Sequence, residues 1–250
     1  PIYFIHQGIE TIIYGTGGER KDGHLVAQNA QTGALLWQIP SKSKGIISSP
    51  ILYMENNQPF VVSNSMGGEV WKVNALSGEL AWHKVIGAEY ETYSSPAVIQ
   101  RDDRIDIVSV FAYGVWPKYS SASLFILDGH TGQVNFRKPL GRCNSASSPL
   151  IADMDNDNRE DILVITCVDR RSRLLILDHD YDEMIAYPLT SGGYSTPVIS
   201  DMDQDSNLDI LVPRFHFMNR FEMVAPFTSG IPLNWNQYRG RNWSGQRLEN

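Results

Sequence analysis

Ser147-Ser148-Pro149-Leu-Ile-Ala-Asp153-Met-Asp155-Asn-Asp157-Asn-Arg159-Glu-Asp161-Ile-Leu-Val-Ile165 is the stretch that decides the fold. It reads as a short apolar strand after a proline, then an acidic loop, then a second apolar strand. The same order returns at Ser195-Thr196-Pro197, where the loop Asp201-Met-Asp203-Gln-Asp205-Ser-Asn207-Leu-Asp209 leads into Ile-Leu-Val-Pro213. Both loops carry Asp at relative positions 1, 3, 5 and 9. Carboxylates this dense repel one another unless a cation neutralises them. Hard oxygens at alternate positions suit Ca²⁺, which takes roughly 6–8 oxygen ligands.

Working outward, the Ser-Ser-Pro anchor also occurs at Ser48-Ser49-Pro50 and Ser94-Ser95-Pro96, and Pro1 continues the series. The prolines stand at 1, 50, 96, 149 and 197, so the steps are 49, 46, 53 and 48. A second anchor lies half a repeat later, at Leu25–Trp37, Val70–Trp82 and Leu124–Phe136, with a decayed copy at Leu174–Tyr187. Each copy reads as strand, tight turn, strand. Gly33, Gly78, Gly132 and Asp182 take the turn position where φ > 0 is expected, and an aromatic residue closes the second strand. Each repeat therefore offers four strands. Units of about 40–50 residues with four strands and a recurring Gly/aromatic pattern predict an all-β fold, a β-propeller of four-stranded blades, with a β solenoid as the alternative. Five repeats are recognisable in residues 1–230, and they are expected to be the whole ring or part of a larger one. Residues 231–250 are expected to form a C-terminal tail that packs on the last blade.

The composition is that of an ordinary globular chain. The net charge is −7, and the eight ladder aspartates alone exceed it; two bound Ca²⁺ would bring it to about −3. The acidity thus reads as metal-site chemistry. No basic stripe argues for nucleic acid, and no apolar run approaches the roughly 18 residues of a membrane helix. Cys143 and Cys167 fit neither a Cys-x-x-Cys nor a haem-attachment pattern. Two buried thiols or a disulfide are both open readings. The chain begins at Pro1 with strand-like residues, which suggests that upstream residues were removed or not included.

The pattern at 25–37 resembles the pyrroloquinoline-quinone-type propeller repeat, which is used by quinoprotein enzymes and by non-enzymatic propellers of bacterial outer-membrane assembly. The pattern at 149–164 and 197–212 resembles the calcium-bearing FG-GAP/VCBS repeat of integrin α-chain heads and many bacterial secreted proteins. The second resemblance implies two structural Ca²⁺ sites. Their ligands would be the side chains of Asp153, Asp155, Asp157 and Asp161 with the carbonyl of Arg159, and those of Asp201, Asp203, Asp205 and Asp209 with the carbonyl of Asn207. An EF-hand is excluded, because its Gly at position 6 and Glu at position 12 are replaced by Asn158 and Val164, and by Ser206 and Val212. Ser tolerates the left-handed conformation less well than Asn, so the second loop fits the pattern less closely.

An enzyme is harder to read here. The vicinal Cys-Cys pair usual in quinone-dependent dehydrogenases is missing, and Trp37 and Trp82 suit packing between blades. The six histidines form no His-x-x-x-His or His-Glu-x-x-His motif, and there is no Gly-x-Ser-x-Gly element. Two stretches stand out as contact surfaces. Residues 111–123 make the third repeat the longest and hold Tyr113, Trp116 and Tyr119; residues 214–221 are aromatic and basic. Long loops on a rigid scaffold often carry binding function. Residues 169–173 read as a solvated hairpin tip, and Trp235–Trp243 resembles the tail that ends bacterial propellers of this kind. The expectation is a secreted, periplasmic or cell-surface scaffold that contacts other proteins of an envelope or surface complex. A glycan-binding propeller is the alternative, and a redox quinoprotein is the third reading.

Overall fold

A computed structural model describes residues 1–101, 104–142, 146–168, 171–189, 195–205, 207–213 and 218–226. Among these residues there are twenty strands and no helix. The first unit is an antiparallel sheet of β1 (Ile2–His6), β2 (Ile9–Gly15), β3 (His24–Asn29) and β4 (Leu35–Pro40). The second repeats this order with β5 (Ile51–Glu55), β6 (Gln58–Asn64), β7 (Glu69–Asn74) and β8 (Leu80–Val85). A two-residue strand, β9 (Tyr90–Glu91), then pairs with the third unit. That unit holds β10 (Ala97–Gln100), β11 (Ile105–Val115), β12 (Lys118–Asp128) and β13 (Val134–Gly141). The fourth holds β14 (Leu150–Ala152), β15 (Asp161–Val168), β16 (Arg171–Leu177) and β17 (Glu183–Pro188). A single parallel bridge, Gly141 to Cys167, joins these two into one nine-stranded sheet. The last described strands are β18 (Val198–Ser200), β19 (Asn207–Pro213) and β20 (Met218–Pro226).

The two anchors explain the geometry. In the first three Gly-bearing turns an Asx side chain organises the loop. Asn29 Oδ1 accepts the N–H groups of Gln31 and Thr32, and Gly33 N–H closes on the Asn29 carbonyl at 2.8 Å. Asn74 and Asp128 do the same for their turns. The residue with φ > 0 is Gly33, Gly78 and Gly132 in turn. The fourth turn corrects the expectation for Asp182: the left-handed residue is Tyr181, at φ 71°. This turn is one residue shorter from its Asx residue, so Tyr181 N–H bonds the Asp178 carbonyl where Gly132 N–H bonds that of Asp128.

The aromatic residue after each turn packs on the following unit. Trp37 Nε1 donates to the Ala75 carbonyl at 3.0 Å, and Trp82 Nε1 to that of Gly129 at 2.9 Å. Phe136 meets Tyr181 at 5.0 Å between ring centroids, and Tyr187 meets Phe221 at 4.7 Å. Buried apolar clusters accordingly lie between sheets: one spans the first two units, one the second to fourth, and one the fourth and the last strands.

The Ser-Ser-Pro anchors form a ladder across the units. Ser49 N–H donates to Ser95 Oγ, Ser95 N–H to Ser148 Oγ, and Ser148 N–H to Thr196 Oγ1, each at 2.9 Å. The following proline lacks an N–H and stands immediately before β5, β10, β14 and β18, outside their paired residues.

Candidate functional site

In the loop at 153–161, chain geometry gathers part of the expected ligand set. Asp153, Asp155 and Asp161 bring carboxylate oxygens within 4.8 Å of one another. Asp153 is buried and folds the loop around itself, accepting the N–H groups of Asn156, Asp157 and Asn158. Asn156 and Asn158 take the left-handed conformation at φ 66° and 67°, which Asn adopts more readily than most residues. Asp161 opens β15 and accepts the N–H of Met154 at 2.7 Å. Burial pushes its carboxyl up to about 7; the Met154 N–H opposes this, and the charges of Asp155, Asp153 and Asp157 add to it. Burial and the Asp157 charge also raise Asp155. Asp157 is not part of the cluster. It accepts Arg159 Nε at 2.8 Å, and this pairing holds it below its ordinary value against the effect of burial. All the clustered donors are carboxylates, a set that fits an oxygen-preferring divalent cation.

The second loop gathers the matching residues, with Asp201, Asp203 and Asp209 oxygens within 4.8 Å. Asp205 again stands apart, held by the N–H and side-chain amide of Asn207. The two loops differ in one respect that the repeat pattern does not reveal. Arg220 of β20 reaches into the second, with Nε 2.6 Å from Asp209 Oδ1 and Nη2 bonded to Asp203.

The long hairpin of β11 and β12 carries the expected contact residues, but the structure divides them. Tyr113 pairs across the sheet with Tyr90, ring centroids 5.3 Å apart. Trp116 sits at the tip, 48% exposed, between Tyr93 at 6.2 Å and Tyr119 at 6.0 Å. Beneath it lies Glu91, buried to 2% exposure. Glu91 Oε2 accepts the Trp116 N–H at 3.0 Å and the Tyr119 hydroxyl at 2.8 Å, while Oε1 pairs with Lys44 from the segment between β4 and β5. Burial alone would raise the Glu91 carboxyl, but Lys44, the Trp116 N–H and Tyr119 together hold it below its ordinary value. Tyr93 in turn donates to Glu19 at 2.6 Å. Lys44, Glu91 and Tyr93 were missed by sequence reasoning. Their only signal was position: each lies in a segment just before a Ser-Ser-Pro anchor.

Cys143, the 231–250 tail, Ser206, residues 169–170 of the hairpin tip and residues 214–217 of the aromatic-basic patch lie outside the described residues. No helix among the described residues is long and apolar enough to cross a membrane.

Solved structures similar to the chain share its fold. BamB from Moraxella catarrhalis aligns over 94% of this chain and 64% of its own, at 15% identity and TM-score 0.50. A europium-containing methanol dehydrogenase aligns over 84% and 50%, at 12% identity and TM-score 0.60. The V. cholerae biofilm matrix protein Bap1 aligns over 82% and 31%, at 13% identity and TM-score 0.53. The chain thus spans about two thirds or less of each. No curated protein matches it in sequence. A family of PQQ-type repeats, described as "Outer membrane protein assembly factor BamB", matches residues 11–203, or 193 of 250 residues. With this match over most of its length, on repeats that build the observed antiparallel sheets of a β-propeller, the chain belongs to that BamB-type PQQ repeat family.

Proposed function

We propose that this chain is a five-repeat, non-catalytic propeller scaffold of a secreted, periplasmic or cell-surface assembly, which holds a partner protein through the Trp116 hairpin. The observation that carries this reading is the family match, whose description names an assembly factor. The hairpin supports it. Interface energy concentrates in Trp and Tyr residues, and a contact surface held rigid before binding loses less entropy on binding. Trp116 is exposed, yet its backbone is tied to a buried carboxylate. The fold likeness to methanol dehydrogenase supports no redox role. Trp37 and Trp82 are engaged between sheets, with their indole N–H groups bonded to carbonyls.

In the same reading Ca²⁺ is a structural staple of the 153–161 loop. Asp153, Asp155 and Asp161 would hold it, joined by Asp157 once that side chain leaves Arg159, and by the Arg159 carbonyl. The ion would neutralise the loop and fix the turn between β14 and β15.

The test compares wild type with Trp116→Ala after cross-linking in the envelope or secreted fraction of the native host. The variant is expected to keep its melting curve and to lose most of the cross-linked partner. Equal recovery would sink the hairpin as the contact. If instead wild type is retained on a polysaccharide array and Trp116→Ala is not, the hairpin reads a glycan.

A further inference from the structure

Three units keep an aspartate at one structural position. Asp106, Asp161 and Asp209 face Ile99, Ala152 and Ser200, each the third residue after the anchor proline. All three are 1% exposed. A buried carboxylate needs a compensating charge, and the three units supply it differently. In the third, Arg101 Nε lies 2.8 Å and Arg104 Nε 3.1 Å from Asp106 Oδ2. In the fifth, Arg220 bonds Asp209 and Asp203. In the fourth no cationic side chain among the described residues pairs with Asp153, Asp155 or Asp161. Arg159 turns away to Asp157.

Arg220 is an intrusion into the repeat. It stands across from Leu211, where the corresponding pairs are Val108 with Ile126 and Leu163 with Ile176. Both isoleucines are buried core residues. The guanidinium fork matches carboxylates and stays charged at every accessible pH. Ca²⁺ would need the same oxygens at roughly 2.3–2.6 Å.

We propose that Arg220 is the resident cation of the second acidic loop, so that the chain binds one calcium ion, at 153–161, and the fifth unit is closed without metal. The proposal rests on the calcium reading of the first loop only for the count of one. The exclusion by Arg220 stands on its own contacts with Asp203 and Asp209. Glu222, 4.0 Å from Arg220, adds to the negative surroundings that keep the guanidinium in place.

The experiment is isothermal titration of CaCl₂ into the metal-stripped chain. Arg220→Ala and Arg220→Met remove the charge, the second keeping the side chain's length and apolar stem. Wild type is expected to bind one equivalent and both variants two. Arg220→Lys should stay at one, and Asp209→Asn in the Arg220→Met background should lose the gained site. Two equivalents in wild type, or no gain in either charge-removing variant, overturns the proposal. Asp155→Ala tests the first loop separately. Wild type binding none while Arg220→Met binds one would defeat the calcium reading of the first loop and leave the role of Arg220 standing.

Discussion

Asp161 shows how a single residue links charge, burial and pH. Its folded-state carboxyl titrates at about 7, against roughly 3.9 for an ordinary aspartate. Between roughly pH 4 and 7 the metal-free folded chain therefore holds a proton that the unfolded chain has released. Asp161 favours folding fully below pH 4, and this contribution is lost as pH rises through 7. In chelator, the melting temperature should fall between pH 5 and 8, and Asp161→Asn should flatten that slope. In saturating calcium that slope should flatten, because the ion prefers the carboxylate: the stabilisation by added Ca²⁺ should grow from pH 5 to 8. Melting curves at the two pH values, with and without calcium, check both. A pH slope unchanged in Asp161→Asn would refute the assignment. Ladder positions 1, 3 and 9 were legible in the sequence, because strand register fixes where position 9 falls. Position 5 was not: Asp157 and Asp205 each take donors from the residue two places on. Arg220 was illegible for another reason. It is 11 residues from Asp209 in sequence and meets it only across a paired strand.

At the scale of elements, the turn glycines separate two effects that sequence alone merges. Gly33, Gly78 and Gly132 share φ near 72°, and each was readable from its Thr-Gly or Ser-Gly turn. A Cβ at Gly33 would meet nothing within 4 Å. At Gly78 it would lie 2.6 Å from the Trp37 ring, and at Gly132 2.6 Å from that of Trp82. The left-handed conformation costs an L-residue roughly 1–2 kcal/mol, and forcing atoms into a packed site costs about 1–3 kcal/mol more. Gly33→Ala should therefore lose only the first amount. Gly78→Ala and Gly132→Ala should lose both, on the order of 2–5 kcal/mol, as measured by urea denaturation midpoints. Equal losses at all three would mean that the tryptophans do not seat on these turns. The fourth turn was misread because its shorter spacing moves the left-handed residue onto Tyr181. That side chain has work elsewhere: its hydroxyl bonds Asp106 and its ring lies under Arg101.

At the scale of the whole molecule, the Ser-Ser-Pro anchors were legible as a period but not as a device. Their spacing of 46, 53 and 48 residues is the spacing of the hydrogen bonds that run from Ser49 to Ser95, Ser148 and Thr196. Each bond joins a backbone N–H of one unit to a hydroxyl of the next, so the units are coupled in chain order by polar contacts as well as by apolar clusters. Ser148 occupies a middle rung and is itself buried; its contact with Ser95 is buried and its contact with Thr196 half-buried. Replacing it with Ala removes the acceptor of the Ser95 N–H but keeps its own N–H bond to Thr196. The cost of losing such a partner in a buried place is about 1–3 kcal/mol. Ser148→Ala should thus lower the denaturation midpoint by that amount. It should also speed hydrogen exchange at the Ser95 amide, while the Ser148 amide stays protected. The two amides distinguish the ladder from a general loosening: if both lose protection together, Ser148 matters through packing, and the coupling between units belongs to the apolar clusters.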